Sequence, residues 1–313
     1  MKFQGQDLTT LSSGKSLYTV HVNAIVWLTA GMSRGPTLSR VMSGGEGGGV
    51  VAVTSLGDDV FVLRHNSRRR VEVYDAVSCT FQRHITVHGP DRPFGFAYNG
   101  CGLAVCARYK CLYVSADDWD TCIYRAELTG SNAVMKWSVA SSPAGLSVNR
   151  AHNVVVACWC ENKLQEYTTH GSLVREICLQ AGVTWPFHAV QLSIGDYVVS
   201  QWTSPGVVSV VGVDGQVRHS YGQSQTSDVG QMKYARGLAV TKNDDIIVAD
   251  MNNNRILSMN SSLSCVQELA LPVDGGIKQP RGLCLDESRG RLSACLSHCV
   301  SVSVQSTDIL LSF

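Results

Sequence analysis

Along most of the chain, short apolar runs alternate with polar turns, and a glycine leading an apolar run recurs at a longer period. Clear copies are Gly102-Leu103-Ala104-Val105, Gly145-Leu146-Ser147-Val148, Gly237-Leu238-Ala239-Val240 and Gly282-Leu283-Cys284-Leu285. Two degenerate copies fill the gaps: Gly49-Val50-Val51-Ala52-Val53, and Pro186-Phe187-His188-Ala189-Val190, where His188 takes the glycine place. Successive anchors stand 43 to 53 residues apart, the period of a propeller blade with four short strands. In the fifth copy the pattern predicts strands over 237–241, 245–250, 255–260 and 265–271, with Lys242-Asn243-Asp244 as a polar turn. The leading strand is short and apolar, as a strand lining a crowded axis must be. Its glycine lets neighbouring backbones approach where a Cβ would obstruct them. No segment sustains a 3.6-residue apolar period, so little helix is expected.

The pattern therefore predicts an all-β chain: a six-bladed β-propeller of four-stranded antiparallel blades over residues 49–313. Residues 1–48 form an N-terminal segment outside the repeats, and its apolar run 17–28 is a candidate closing strand. The last repeat reads 282–286, 291–296, 299–305 and 308–312, which leaves little room for four strands. A propeller must join its first and last blades or expose an unpaired edge. The run 17–30 is too short to span a bilayer, which takes ~20 apolar residues, and His21 and Asn23 within it fit a signal peptide poorly.

Composition narrows the class further. With 44% hydrophobic and 16% charged residues the chain can fill a large core. Lys and Arg number 26 against 25 Asp and Glu, so no global charge draws it to nucleic acid or an anionic membrane; such a partner must meet a local patch. The twelve cysteines include no Cys-x-x-Cys pair and fall mostly in strand segments, where Cys behaves as a small hydrophobe. This reads as reduced, structural cysteines in a cytoplasmic protein without a membrane partner.

The fifth copy carries more than a period. Gly222, Gly230-Gln231-Met232, Arg236-Gly237-Leu238-Ala239-Val240, Ile247-Val248-Ala249-Asp250 and Asn254-Arg255-Ile256 resemble an NHL repeat almost throughout. Ala235 stands where proline is usual, while Pro143 and Pro280 hold nearby positions in other copies. The chain thus resembles the C-terminal propellers of tripartite-motif (TRIM-NHL) proteins, whose RING, B-box and coiled coil have no counterpart in these residues. The resemblance implies a binding module. It also implies two alternatives: single-stranded RNA recognition in a ubiquitin-ligase context, and the metal-dependent lyase or lactonase chemistry of NHL-like propellers. Gly237, Asp250, Asn254 and Arg255 are the repeat-motif residues. Asp at a strand end can accept turn N–H groups, and Arg opening the next strand can pair with a carboxylate. In other copies Asp117 keeps the acid, Lys163 replaces the arginine, and Arg64, Cys158, Gln201 and Cys295 stand near the Asp place.

In a propeller, the loops joining second and third strands share a face with the connections between blades. Alignment of the copies puts Trp119, Trp159 and Trp202 in such loops, and Trp185 in the connection entering the fourth blade. Tryptophan buries a large rigid area and keeps a donor, as a binding hot spot requires; the alternative is that these rings fill seams between blades. Charge on that face divides between Arg64, His65, Arg68, Arg69 and Arg70 of the first blade and Asp117, Asp118 and Asp120 of the second. A basic lobe beside an acidic one suits a polypeptide of complementary charge, although Arg68 to Arg70 also reads as a solvated hairpin turn. Single-stranded RNA wants a basic groove with stacking aromatics, which the Asp cluster opposes. His65, His188 and His298 are the metal candidates, but three scattered histidines define no ligand spacing. No Walker loop or His-Glu-x-x-His occurs. The expectation is a non-enzymatic platform for a protein or peptide partner, with no cofactor and no metal, and single-stranded RNA as the alternative partner.

Overall fold

The computed structural model describes residues 49–64, 70–87, 102–116, 121–130, 133–139, 142–222, 230–269 and 277–296, and the backbone of strands at 17–18, 25–29, 37–42 and 302–303. It is an all-β propeller of four-stranded antiparallel sheets. Five blades each come from one continuous segment, over 50–86, 103–138, 143–178, 186–221 and 235–268. The strand nearest the axis comes first and the chain steps outward, as in Val50–Leu56, Asp59–Arg64, Arg70–Asp75 and Phe81–Thr86 of the first blade. Burial follows position. The second strand, packed between sheets on both faces, is apolar almost throughout and nearly all buried; the outermost alternates less and is mostly exposed. Adjacent sheets meet in apolar seams. Phe61, Leu63 and Val73 pack with Leu103, Leu112 and Val114 between the first two blades.

A further sheet is composite. Pro280–Asp286 pairs with Arg291–Leu296, which pairs with Ile25–Thr29, which pairs in turn with Thr37–Met42. The chain thus makes five blades of consecutive strands where six were expected, and its last repeat supplies two strands of the sheet instead of four. Of the outer strands expected over 299–312, only Val302–Ser303 lies within the described residues, and it pairs with Leu17–Tyr18 away from this sheet. Arg291–Leu296 would otherwise present an open ladder, and the β-branched stretch Ile25–Thr29 satisfies it in register from Ile25 opposite Cys295 to Thr29 opposite Arg291. Residues 1–48 therefore contribute two strands to the propeller itself.

At the axis, backbones approach where only glycine fits. A Cβ on Gly102 would stand 2.5 Å from the Leu146 nitrogen, and one on Gly145 2.6 Å from the Phe187 carbonyl oxygen. One on Gly237 would meet the Arg281 carbonyl oxygen and stand 2.8 Å from the Leu283 nitrogen. Gly282 in turn lies against Val51 and Ala52 of the first blade, so the composite sheet touches both its neighbours and the ring closes.

Five of the six axial strands share one irregularity, while Leu103–Cys106 pairs without a shift. Their ladders shift register between Val50 and Ala52, Pro143 and Leu146, Pro186 and His188, Ala235 and Leu238, and Pro280 and Leu283. A bulge releases its residues from pairing and re-aims them. Those released here are Val51, Ala144 with Gly145, Phe187, Arg236 with Gly237, and Arg281 with Gly282. Helix among the described residues is limited to two short 3-10 turns, Met251–Asn253 and Glu287–Arg289, and no helix is long and apolar enough to cross a membrane. Five of the ten described cysteines are buried.

Candidate functional site

Of the bulged residues all but Ala144 line an axial cavity of about 50 Å³. Two arginines are among its lining residues, Arg236 from the fifth blade and Arg281 from the composite sheet. Arg236 is buried, with its guanidinium carbon 4.8 Å from the Phe187 ring centroid and 4.3 Å from that of Trp202. Two ring faces thus offset part of the cost of taking its charge out of water. Burial, and then the neighbouring Arg281 charge, pull Arg236 down to about 9, so it keeps its proton at neutral pH. Burial lowers Arg281 as well.

His188 stands in the same wall. Its Nδ1 accepts the Leu238 N–H at 3.1 Å, which leaves the ring proton on Nε2, and Nε2 donates to the Leu146 carbonyl at 3.0 Å. One imidazole therefore ties the third, fourth and fifth blades together. Burial holds its pKa below the usual histidine value. With both nitrogens committed to backbone, the metal role considered for His188 gives way to a structural one. Among the described residues no group of three His, Cys, Asp or Glu side chains is placed to hold a metal.

An aromatic arc runs from this cavity to the rim. Trp202 meets Phe187 and Tyr234 edge-on, at 5.6 and 6.4 Å between centroids. Its backbone N–H donates to the Trp185 carbonyl at 2.9 Å, and the Trp185 ring lies 5.1 Å from that of Trp159. Trp185 is 48% exposed although its neighbours are half-buried, and its backbone sits at φ +53°, a left-handed conformation that a bulky residue rarely adopts. The Asn162 side-chain oxygen holds it there, accepting the Trp185 N–H at 2.9 Å. In three blades the loop after the second strand bonds to the segment entering the blade: Trp159 to Ser142, Trp202 to Trp185 and Met251 to Tyr234. These bonds put the loops and entries on one face.

The repeat-motif residues hold that face rigid. Asp250, fully buried, accepts from Lys233 N at 2.7 Å, Asn253 Nδ2 at 2.8 Å and Arg255 Nε at 2.7 Å. Asn254, left-handed at φ +56°, accepts the Gln279 N–H and so links the fifth blade to the composite sheet. Arg64 occupies the Asp250 place in the first blade but is buried against Glu72 at 2.7 Å, both side chains 3% exposed. Burial opposes its charge, and bonds from Glu72 and Tyr74 outweigh that and hold its pKa above the usual value. The first blade thus builds the same brace with its charges exchanged, and Arg64 leaves the basic surface lobe expected of it. Lys163 stands opposite Cys158 as Arg255 stands opposite Asp250, and it pairs with Glu161 and Glu176. In the composite sheet Leu296, not Cys295, faces Pro280 as Asp250 faces Ala235.

Trp119, Asp117, Asp118, Asp120, Arg68, Arg69, His65 and His298 lie outside the described residues. Of the expected face, the structure brings together Trp159, Trp185 and Trp202. Sequence reasoning missed Arg236 and Arg281, although a signal was there: in the fifth and last copies alone, an arginine precedes the axial glycine.

The NHL repeat family matches residues 232–257, one repeat of this chain. No curated protein matches the sequence. Among solved structures, the chain is similar to a streptogramin B lyase with a TM-score of 0.62 and 15% identity, over 96% of this chain and 92% of that one. It is similar to virginiamycin B lyase from Staphylococcus aureus with a TM-score of 0.57 and 13% identity, over 92% and 93%. A chain of a nidogen/laminin complex aligns with a TM-score of 0.53 and 14% identity, over 74% and 82%. At these identities the likeness concerns the propeller fold alone.

Proposed function

We propose that this protein is a binding module that recognises a protein or peptide partner through the loop face of its propeller, the composite sheet acting as the sixth, closing blade. Trp185 carries the reading. A large ring half in solvent, on a left-handed backbone, costs stability and adds little to the core; packed against the tilted Trp159 ring, it offers the rigid apolar anchor on which binding energy concentrates. The NHL match supports this reading, and so does a propeller of similar fold in the nidogen/laminin complex. The lyases among similar folds raise a catalytic reading; the commitment of both His188 nitrogens to backbone favours binding over it. Burial of Arg64 against Glu72 likewise favours a polypeptide over single-stranded RNA, which would need that charge on the surface.

A random-peptide display selection on the wild-type propeller, counter-screened on Trp185→Ala, tests the reading. Selected peptides should lose about 2 kcal/mol or more of binding on the variant, while its melting temperature stays that of the wild type. Peptides that bind both proteins equally would overturn it, as would salt-sensitive binding of poly-uridine with no peptide selected.

A further inference from the structure

We propose that Cys106 and Cys111 form a redox-active dithiol, which hydrogen peroxide converts to a cross-strand disulfide at the seam between the second and third blades.

The two residues close one hairpin of the second blade, where Leu103–Cys106 turns back into Cys111–Ala116. They stand directly opposite each other in its register. Opposed residues of an antiparallel pair send their side chains to one face, with Cα atoms about 4.5–5.5 Å apart. A disulfide takes Cα separations of about 4.4–6.8 Å, so bridging asks little movement of either strand. Both side chains belong to the apolar cluster that packs on the third blade. Among the ten described cysteines, no other two are placed opposite each other in neighbouring strands. A bridge over a four-residue turn removes little freedom from the unfolded chain, so the pair gives the fold little as a staple.

Apolar surroundings alone would leave two inert thiols, but each sulfur here has a polar neighbour. His152 of the third blade brings Nδ1 to 3.9 Å from the Cys106 sulfur, and its ring meets exposed Tyr109 edge-on at 6.0 Å between centroids. His152 is half-buried, so it joins a buried thiol to solvent and is placed to take its proton. On the other side, burial opposes the Arg125 charge, and interactions with Cys111, Glu127 and Tyr113 outweigh that and hold its pKa above the usual value. A thiolate at Cys111 thus has a guanidinium to stabilise it. The turn from Ala107 to Lys110 is exposed throughout, and its local opening admits a small oxidant to both sulfurs.

The step balances within the dithiol and one peroxide. Cys106, its proton passed to His152, attacks peroxide; an S–O bond forms, the O–O bond breaks, and the departing hydroxide takes that proton and leaves as water. The Cys111 sulfur then attacks the Cys106 sulfenic acid; the S–S bond forms, the S–O bond breaks, and the second hydroxide leaves as water with the Cys111 proton. Each sulfur gives up one electron. An added dithiol reverses the step by exchange and is itself oxidised to a disulfide.

Reduced wild-type protein, treated with a small excess of peroxide and then alkylated, tests this by peptide mass spectrometry. Cleavage after Arg108 and Lys110 separates the two cysteines, so a linked pair of fragments marks the bridge. Fragmentation of that species distinguishes it from links through Cys101 or Cys122, which share those fragments. The Cys106–Cys111 link should be the main product and should disappear on adding dithiothreitol. Cys106→Ser and Cys111→Ser should each abolish it, and Cys122→Ser should retain it. His152→Asn, suited to the left-handed backbone at φ +64°, should slow its formation about tenfold or more. Melting curves check that the variants fold, and the wild-type link is read without them. Oxidation confined to the exposed Cys160, Cys178 and Cys265 would overturn the proposal, as would a link through Cys101 or Cys122, or sulfinic acid at either residue with no bridge. Bridging at the wild-type rate in His152→Asn would overturn the role of His152 as the base.

Discussion

Arg64 and Asp250 hold the same place in their blades and carry opposite charges, yet each is buried in an ion pair at 2.7 Å. The fifth blade's pair was readable from the sequence because its two residues flank a single loop. The first blade's was not, because Glu72 lies two residues inside the next strand, where nothing in the spacing marks it as the answer to Arg64. His188 shows the same division: the repeat pattern singles it out as a ring in a glycine slot, and only the fold shows what each nitrogen touches. Its protonation gives a measurable consequence. Because burial lowers its folded pKa from 6.5, the unfolded chain binds this proton more readily than the native one. The stability it contributes is complete above about pH 6.5 and is lost as pH falls from there toward the folded value. His188→Gln, which keeps a donor and an acceptor, should melt with less pH dependence between about pH 6.5 and 5 than the wild type. Parallel melting curves for the two proteins would contradict this.

The strands were legible because two signals agreed, apolar alternation within each run and a glycine at each axial start. The bulges that follow those starts were not, since a register shift changes which residues are paired and leaves the residue types unaltered. That is why Arg236 and Arg281 read as strand residues and were passed over as site residues. The axial glycines now allow a graded test of how tightly the elements pack. Gly237→Ala places a methyl group against the Arg281 carbonyl oxygen and the Leu283 nitrogen, backbone atoms that cannot swing aside. It should cost about 1–3 kcal/mol or more, read as a lower denaturant midpoint at unchanged slope. Gly182→Ala meets nothing within 4 Å and should leave the midpoint near that of the wild type; equal losses at both sites would show that axial crowding is not the cause.

At the scale of the whole molecule, the sequence period reveals how many repeats there are but not how the ring is joined. Strand pairing across most of the chain leaves no local mark, so Ile25–Thr29 could be suspected from the apolar run 17–28 but Thr37–Met42 was not marked at all. Removing residues 1–48 deletes both and opens the Arg291–Leu296 ladder. The shortened chain should lose cooperative unfolding and associate through that edge, visible as a broadened melt with larger species in size-exclusion chromatography; a monomer with the wild-type transition would refute it. The same closure sets an order of events during synthesis. Ile25–Thr29 is translated roughly 265 residues before Arg291–Leu296, one of its two partners, and at about 5–20 residues per second that edge waits on the order of ten to fifty seconds to be covered. During that interval one edge of this strand stands unpaired, a template on which another chain could add a strand before its own partner has been made.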